Sequence, residues 1–377
     1  MPYLTALRSR GVTLDQMYGA SHLSLTNYIA MTSGNGPNAS TSGDCLQYDC
    51  VFTPPNDTNI GDQLEATGRT RKAYLESMPQ PCTHPTVSGS LDPYLVGYAT
   101  RHNPFVYYQD VVGTDLGAKP ARCVEHDVPF SQMSDDLARG TVPNYSLVVP
   151  DTCDDAHDGG AQCGLSTADR WLSTNLPPIL ASSAYRNNGA VIITFDESDV
   201  GDRTGCCGAV PGGGHIFTLV LSPRVTPGAD TSVPYNHYSL LRTVEEAFDV
   251  PCLRHACDPG VAPFGRDVWG RGRVVTTRYT AGDAQSMSTV AQHFGTFPLA
   301  QKRAVYALAW ITAAAGGLDR TRVSPPPEMT GSVVETSGWG PGELATLRSV
   351  ERHYRLSAEQ VQKFAVQFWA RVFAGHS

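Results

Sequence analysis

Two adjacent carboxylates, Asp196 and Glu197, follow directly on the apolar run Val191-Ile192-Ile193-Thr194-Phe195. Neighbouring negative charges repel unless a cation lies between them, and a metal ion is the simplest such cation. The same residues also fit a turn capped by Asp196 with Glu197 in solvent. The segment from Asp151 to Asp158 holds five candidate ligands in eight residues: Asp151, Asp154, Asp155, His157 and Asp158. A solvated acidic loop is its plain alternative. Gly212-Gly213-Gly214-His215 precedes another apolar run. Three glycines let backbone pass close to a ligand, and the spacing is neither a dinucleotide fingerprint nor a P-loop. Finally, Ser21-His22-Leu23-Ser24-Leu25-Thr26-Asn27 opens an expected helix. Free N–H groups and the positive dipole end of a helix suit an anion such as phosphate. Ser24 is there either an ordinary N-cap or, beside a metal that lowers its pKa, a nucleophile. Asn27 is placed to donate a hydrogen bond to an oxygen of the anion.

Ligands of open α/β sheets bind beyond the carboxyl ends of the strands, so the elements around these residues matter. Tyr3 to Arg10 reads as helix and Val12 to Tyr18 as a lead into a strand. Ser24 to Thr32 reads as a helix stopped at Gly34. A long polar loop follows to Asp62, then a helix from Gln63 to Met78 closed by Pro79. Apolar runs ending at polar residues occur at Phe105–Tyr108, Tyr145–Val149, Ala190–Phe195 and Ile216–Leu221. Ala168 to Tyr185 reads as a helix interrupted near Pro177-Pro178, and Tyr238 to Phe248 as another. This alternation predicts an α/β fold with a mostly parallel central sheet flanked by helices. Composition shifts after about residue 275. Helices are expected at Phe297–Gly316, Gly342–Tyr354 and Ser357–Ala374, the last with the capping box Ser357/Gln360. The expected organisation is one domain over 1–275 and a C-terminal helical appendage over 276–377.

At 377 residues and 41% hydrophobic content the chain can bury a sizeable core. A net charge of -8 argues against a nucleic-acid partner. It also repels a phosphate at long range, so local cations must dominate at any such site. No apolar run is long enough to span a membrane. The ten cysteines include no CxxC pair, which favours disulfides and an oxidising compartment over a structural metal. Secretion or the cell envelope is therefore expected, although no signal-peptide pattern follows Met1. A bond between the adjacent Cys206 and Cys207 is expected to be strained, so each is expected to pair elsewhere.

Taken in order, several segments resemble the bacterial phosphoesterase family of acid phosphatases and phospholipases C, within the alkaline phosphatase-like superfamily. They are Ser21 to Tyr28, Lys72-Ala73-Tyr74, Arg101 to Phe105, Asp155 to Asp158, Thr194 to Glu197, Gly212 to His215, and Tyr235 to Tyr238. The resemblance covers roughly Pro2 to Cys257. It implies that Ser24 is a transiently phosphorylated nucleophile and that Asn27 contacts the phosphate. It implies that Asp196 and Glu197 bind a divalent metal together with Ser24. His157 lines that site with a catalytic role, and His102 and His215 contact substrate. The metal would be Zn, Mn, Fe, Mg or Ca. The implied substrate is a small phosphate monoester, with a phosphodiester such as a phospholipid headgroup as the alternative. A binding protein that kept the fold without the metal is the other class. A metal-free serine hydrolase is disfavoured because no Gly-x-Ser-x-Gly elbow is present. Thr26 departs from the family, where proline is common. Members also usually open with an apolar strand ending in a Glu-Asn pair at the metal site, and this chain begins after that point.

Overall fold

The computed structural model describes residues 1–88, 96–157 and 162–269. The three helices expected beyond residue 276 lie outside the described residues, as does Asp158. Ten strands occur among the described residues: β1 (Val12–Leu14), β2 (Met17–Tyr18), β3 (Arg71–Leu75), β4 (Asp127–Pro129), β5 (Tyr145–Val149), β6 (Val191–Thr194), β7 (His215–Ile216), β8 (Thr218–Leu221), β9 (Ala229–Thr231) and β10 (Tyr235–Asn236). They form three sheets, ordered β6-β8-β1-β9, β10-β2-β7 and β4-β3-β5. The last is wholly parallel. The β1–β9 and β10–β2 pairs are parallel, whereas β8 runs antiparallel to both β6 and β1, and β7 to β2.

The helix Ser24–Ser33 forms where expected, and all but two of its residues are buried. It ends because Gly34 turns left-handed at φ 69°. A side-chain carbon at Gly34 would lie 2.3 Å from the Leu253 carbonyl oxygen, so only glycine fits. Leu25 and Ile29 of this helix enter a core with Leu75, Phe105, Tyr108 and Leu241. The helix thereby links the site to the β4-β3-β5 sheet. At the other end of the fold, Asp169 accepts hydrogen bonds from the Tyr3 and Leu4 N–H groups at 2.9 Å each, capping the first helix, Pro2–Leu7.

Four local expectations are corrected. The helix expected from Gln63 to Met78 is a short helix, Ile60–Ala66, followed by β3. Gly68, at φ 73°, breaks the helical path. Arg71 to Leu75 then serves as the central strand of a parallel sheet and is buried on both faces. The apolar run Phe105–Tyr108 is a 3-10 turn, Pro104–Tyr107, not a strand. Leu165–Ala181 continues through Pro177 and Pro178 without a break. Both prolines and the residues four before them are exposed, which leaves the carbonyls that lose a donor within reach of solvent. Cys206 and Cys207 bond to each other. The other eight cysteines pair as 45–50, 82–123, 153–163 and 252–257, which leaves no alternative partner.

Asp127 is fully buried on β4, with one oxygen accepting from Asn103 Nδ2 at 3.3 Å and the other without a partner. Burial pushes its carboxyl from 3.8 up to about 7, against the attraction of Arg71 and the Asn103 bond. An acid raised in the folded state contributes stability that is present below its ordinary pKa and lost as pH rises through the folded value. Asp127→Asn keeps the neutral shape at every pH. Thermal melts at about pH 5 and about pH 8 should therefore show the variant gaining on the wild type as pH rises. A difference that stays constant across that range contradicts the assignment.

Candidate active site

The loop before Ser24 is held by Asn27. Its Oδ1 accepts from the Ala20 and Ser21 N–H groups at 2.8 and 3.0 Å. Its Nδ2 donates to the Ser21 and Leu23 carbonyls at 2.7 and 3.3 Å. Asn27 is fully buried, so its whole amide goes to shaping the loop, and a substrate oxygen would compete with a carbonyl for Nδ2. The glycine run explains itself in the same place. Gly213 donates its N–H to the Gly19 carbonyl and accepts the Ser198 N–H, and a side-chain carbon there would come within 2.2 Å of the Ser21 carbonyl oxygen. These glycines let the loops before Ser24 and after Glu197 pack backbone to backbone; the close approach is to protein.

Ser24 is the first helical residue, with Leu23 at the N-cap. Its hydroxyl donates to Glu197 Oε1 at 3.4 Å and lies close enough to the Asp196 carboxyl to favour its charged form. Both carboxylates emerge where β6 ends, β6 being fixed by antiparallel pairing with β8 from Val191↔Leu221 to Thr194↔Thr218. Burial pushes both carboxyls above their ordinary values, and for Glu197 the charge of Asp196 adds to the shift. Two carboxylates and a hydroxyl on one point make a hard oxygen donor set, which suits a divalent cation.

Two histidines fix this pair. His22 Nδ1 bonds Glu197 Oε2, and His22 Nε2 donates to the Asp202 carbonyl at 2.9 Å. His237, fully buried at the start of the helix His237–Ala247, donates from Nε2 to the Asp196 carbonyl at 2.6 Å. Burial drives its pKa down to about 3, so the ring is neutral, with its lone pair on a buried, unpartnered Nδ1.

A second wall lies along the same helix. Tyr28 stands one turn after Ser24 and stacks on His102, with centroids 5.3 Å apart and planes at 25°. His102 is buried, which lowers its pKa to about 3, with Arg101 and His157 adding to the effect. Tyr28 is raised by burial first, then by the charges of Asp196, Asp155 and Glu197. His157 is exposed and acts electrostatically on both Asp196 and His102. Asp44 reaches in from the long loop, its Oδ1 accepting the Leu25 N–H at 3.0 Å. That helix N-terminus therefore already holds a carboxylate on one of its N–H groups.

The structure gathers Ser24, Asn27, Asp196 and Glu197 at the first turn of one helix, with His102 against Tyr28 one turn on and His157 acting on Asp196 and His102 electrostatically. His215 is not gathered with them: it is exposed, and its Nε2 bonds the Asp15 carbonyl at 2.7 Å beside Tyr18. The acidic loop divides. Asp155 and His157 act on this site, while Asp151 and Asp154 join Glu76 in a group whose carboxylate oxygens lie within 4.8 Å of one another. Sequence reasoning assigned no role to His237, Asp44 or Arg101. His237 and Arg101 lay inside segments already singled out. Asp44 had no signal, because its contact with Leu25 crosses a loop without periodicity.

Residues 1–251 match the Phosphoesterase family. A probable acid phosphatase of Kluyveromyces lactis is 28% identical over 249 residues, 63% of this chain and 54% of that protein. A phosphatidylinositol-3-phosphatase of Mycobacterium tuberculosis is 26% identical over 269 residues, 71% of this chain and 76% of that protein. The similarity thus extends beyond bacteria, and the chain spans about half the length of the acid phosphatases it matches. Among solved structures, a protein of the alkaline phosphatase superfamily from Vibrio parahaemolyticus is 14% identical with a TM-score of 0.43, covering 71% of this chain and 65% of that one.

Asn27→Ala strips buried partners from two backbone N–H groups at once. It should cost about 3 kcal/mol of stability, read from the denaturant midpoint, whereas Ser24→Ala should cost under about 1 kcal/mol. Equal effects in the two variants contradict the role given to Asn27.

Proposed function

Because the chain belongs to the phosphoesterase family, we propose that it hydrolyses phosphate esters, monoesters above all, through a phosphoserine at Ser24. The observation that carries this reading is the Ser24 hydroxyl at a helix start, 3.4 Å from Glu197 Oε1 and beside the Asp196 carboxyl whose charged form it favours. Asp196, Glu197 and Ser24 would hold a divalent cation. Bound there, it supplies neutralising charge for the phosphoryl oxygens and a lowered pKa for the hydroxyl. The chain's residues do the rest. The Asp196 backbone is pinned by His237, and the Glu197 carboxylate is oriented by His22.

Ser24 Oγ gives up its proton to the carboxylates and forms a bond to phosphorus as the ester P–O bond breaks. The departing alcohol takes a proton, for which the exposed His157 is the candidate donor. Water then attacks the phosphoserine, the bond between Ser24 and phosphorus breaks, and inorganic phosphate leaves. Zn, Mn, Fe, Mg and Ca all suit the oxygen-rich donor set. The similarity to a phosphatidylinositol-3-phosphatase favours a second substrate of the same chemistry, a phosphate carried on a lipid headgroup. The five disulfides support a location outside the reducing cytosol.

Hydrolysis of p-nitrophenyl phosphate tests the proposal. Ser24→Ala should lower kcat by about 10³-fold or more. Acid quenching during turnover should leave a phosphoserine at position 24, identified by peptide mass spectrometry. Full activity in Ser24→Ala, or activity that persists through chelation and dialysis, would overturn it.

A further inference from the structure

Arg101 is 7% exposed in a chain of net charge -8. A buried guanidinium needs anions to offset its desolvation. One is Asp44, whose Oδ2 lies 3.9 Å from Arg101 Nε. The other oxygen of Asp44 holds the N–H of Leu25, the residue after Ser24. A single carboxylate therefore ties the guanidinium to the backbone beside the nucleophile. The neighbouring residue adds a second tie. His102 stacks on Tyr28, and Tyr28 and Ser24 stand four apart on one face of their helix. Arg101 is thus anchored twice to the first turn that presents Ser24.

The charges around that turn are otherwise mostly negative: Asp44, Asp155, Asp196 and Glu197. A phosphate monoester brings close to two further negative charges to this place, and a diester brings one. Arg101 acts on the same Tyr28 side chain as Asp155, Asp196 and Glu197, with the opposite sign. An arginine fork matches phosphoryl oxygens in pairs and stays charged at any working pH.

We propose that Arg101, positioned by Asp44, binds the terminal phosphoryl oxygens and selects the doubly charged monoester over the singly charged diester. The inference rests on the phosphate-ester reading above. It adds to that reading a protein cation besides the metal and a reason for the substrate's charge state.

The test uses inorganic phosphate and diethyl phosphate as competitive inhibitors of p-nitrophenyl phosphate hydrolysis by the wild type, Arg101→Gln and Arg101→Lys. Arg101→Gln should raise the phosphate Ki and the substrate KM by about tenfold or more, and the diethyl phosphate Ki by under about threefold. Arg101→Lys keeps the charge but loses the fork, and should give an intermediate loss with an unchanged melting temperature. If Arg101→Gln fails to fold, the lysine variant decides. A phosphate Ki and a phosphate-to-diester ratio equal to the wild type in a folded variant overturn the proposal. A wild type that hydrolyses no phosphate ester defeats the underlying reading instead, and the inference falls with it.

Discussion

Like charges gathered in one partly buried place set the terms for this site. Asp196 and Glu197 leave the end of β6 side by side, and desolvation penalises their charged forms. A fold tolerates that arrangement when something compensates it. Part of the compensation is visible in the chain: the Ser24 hydroxyl, the ring of His22 and the backbone N–H of Glu197, which donates to Asp196 at 2.9 Å. The remainder fits a cation held between the carboxylates and Ser24. The surrounding structure serves to keep these groups in place. Asn27 uses its whole amide on the loop before Ser24, and the glycine run lets that loop lie against the one after Glu197.

The electrostatic logic extends outward from this pair. The chain as a whole is acidic, and Asp44, Asp196 and Glu197 lie against the first turn of the Ser24 helix. An anionic substrate therefore needs local positive charge, the part proposed above for a divalent cation and for Arg101. The histidines divide the labour by burial. His102 and His237 are buried and neutral, so they orient neighbours, whereas His157 is exposed.

Much of this was legible in the sequence where local pattern and local structure coincide. Ser24–Ser33 carries its own stop at Gly34, and β6 is a plain apolar run ending at its acids. Failures came where tertiary context overrides pattern. Arg71–Leu75 has charged residues at its start, yet a buried arginine paired with Glu65 at 2.8 Å makes it a central strand. Pro177 and Pro178 looked like breakers because their exposure was not visible. His215 had the right type and the right neighbours, but its ring turns to the Asp15 carbonyl. Asp44 was invisible because its partners lie far off in sequence.

The central claim is that the Asp196–Glu197 pair, with Ser24, holds a divalent cation. The most direct measurement is the metal content of the purified protein by inductively coupled plasma mass spectrometry, in the wild type and in the double variant Asp196→Asn/Glu197→Gln. The account predicts about one divalent ion per chain in the wild type and its loss from a variant that still folds. Metal retained at the wild-type level after the pair is neutralised, and lost instead on Glu76→Gln, would contradict it.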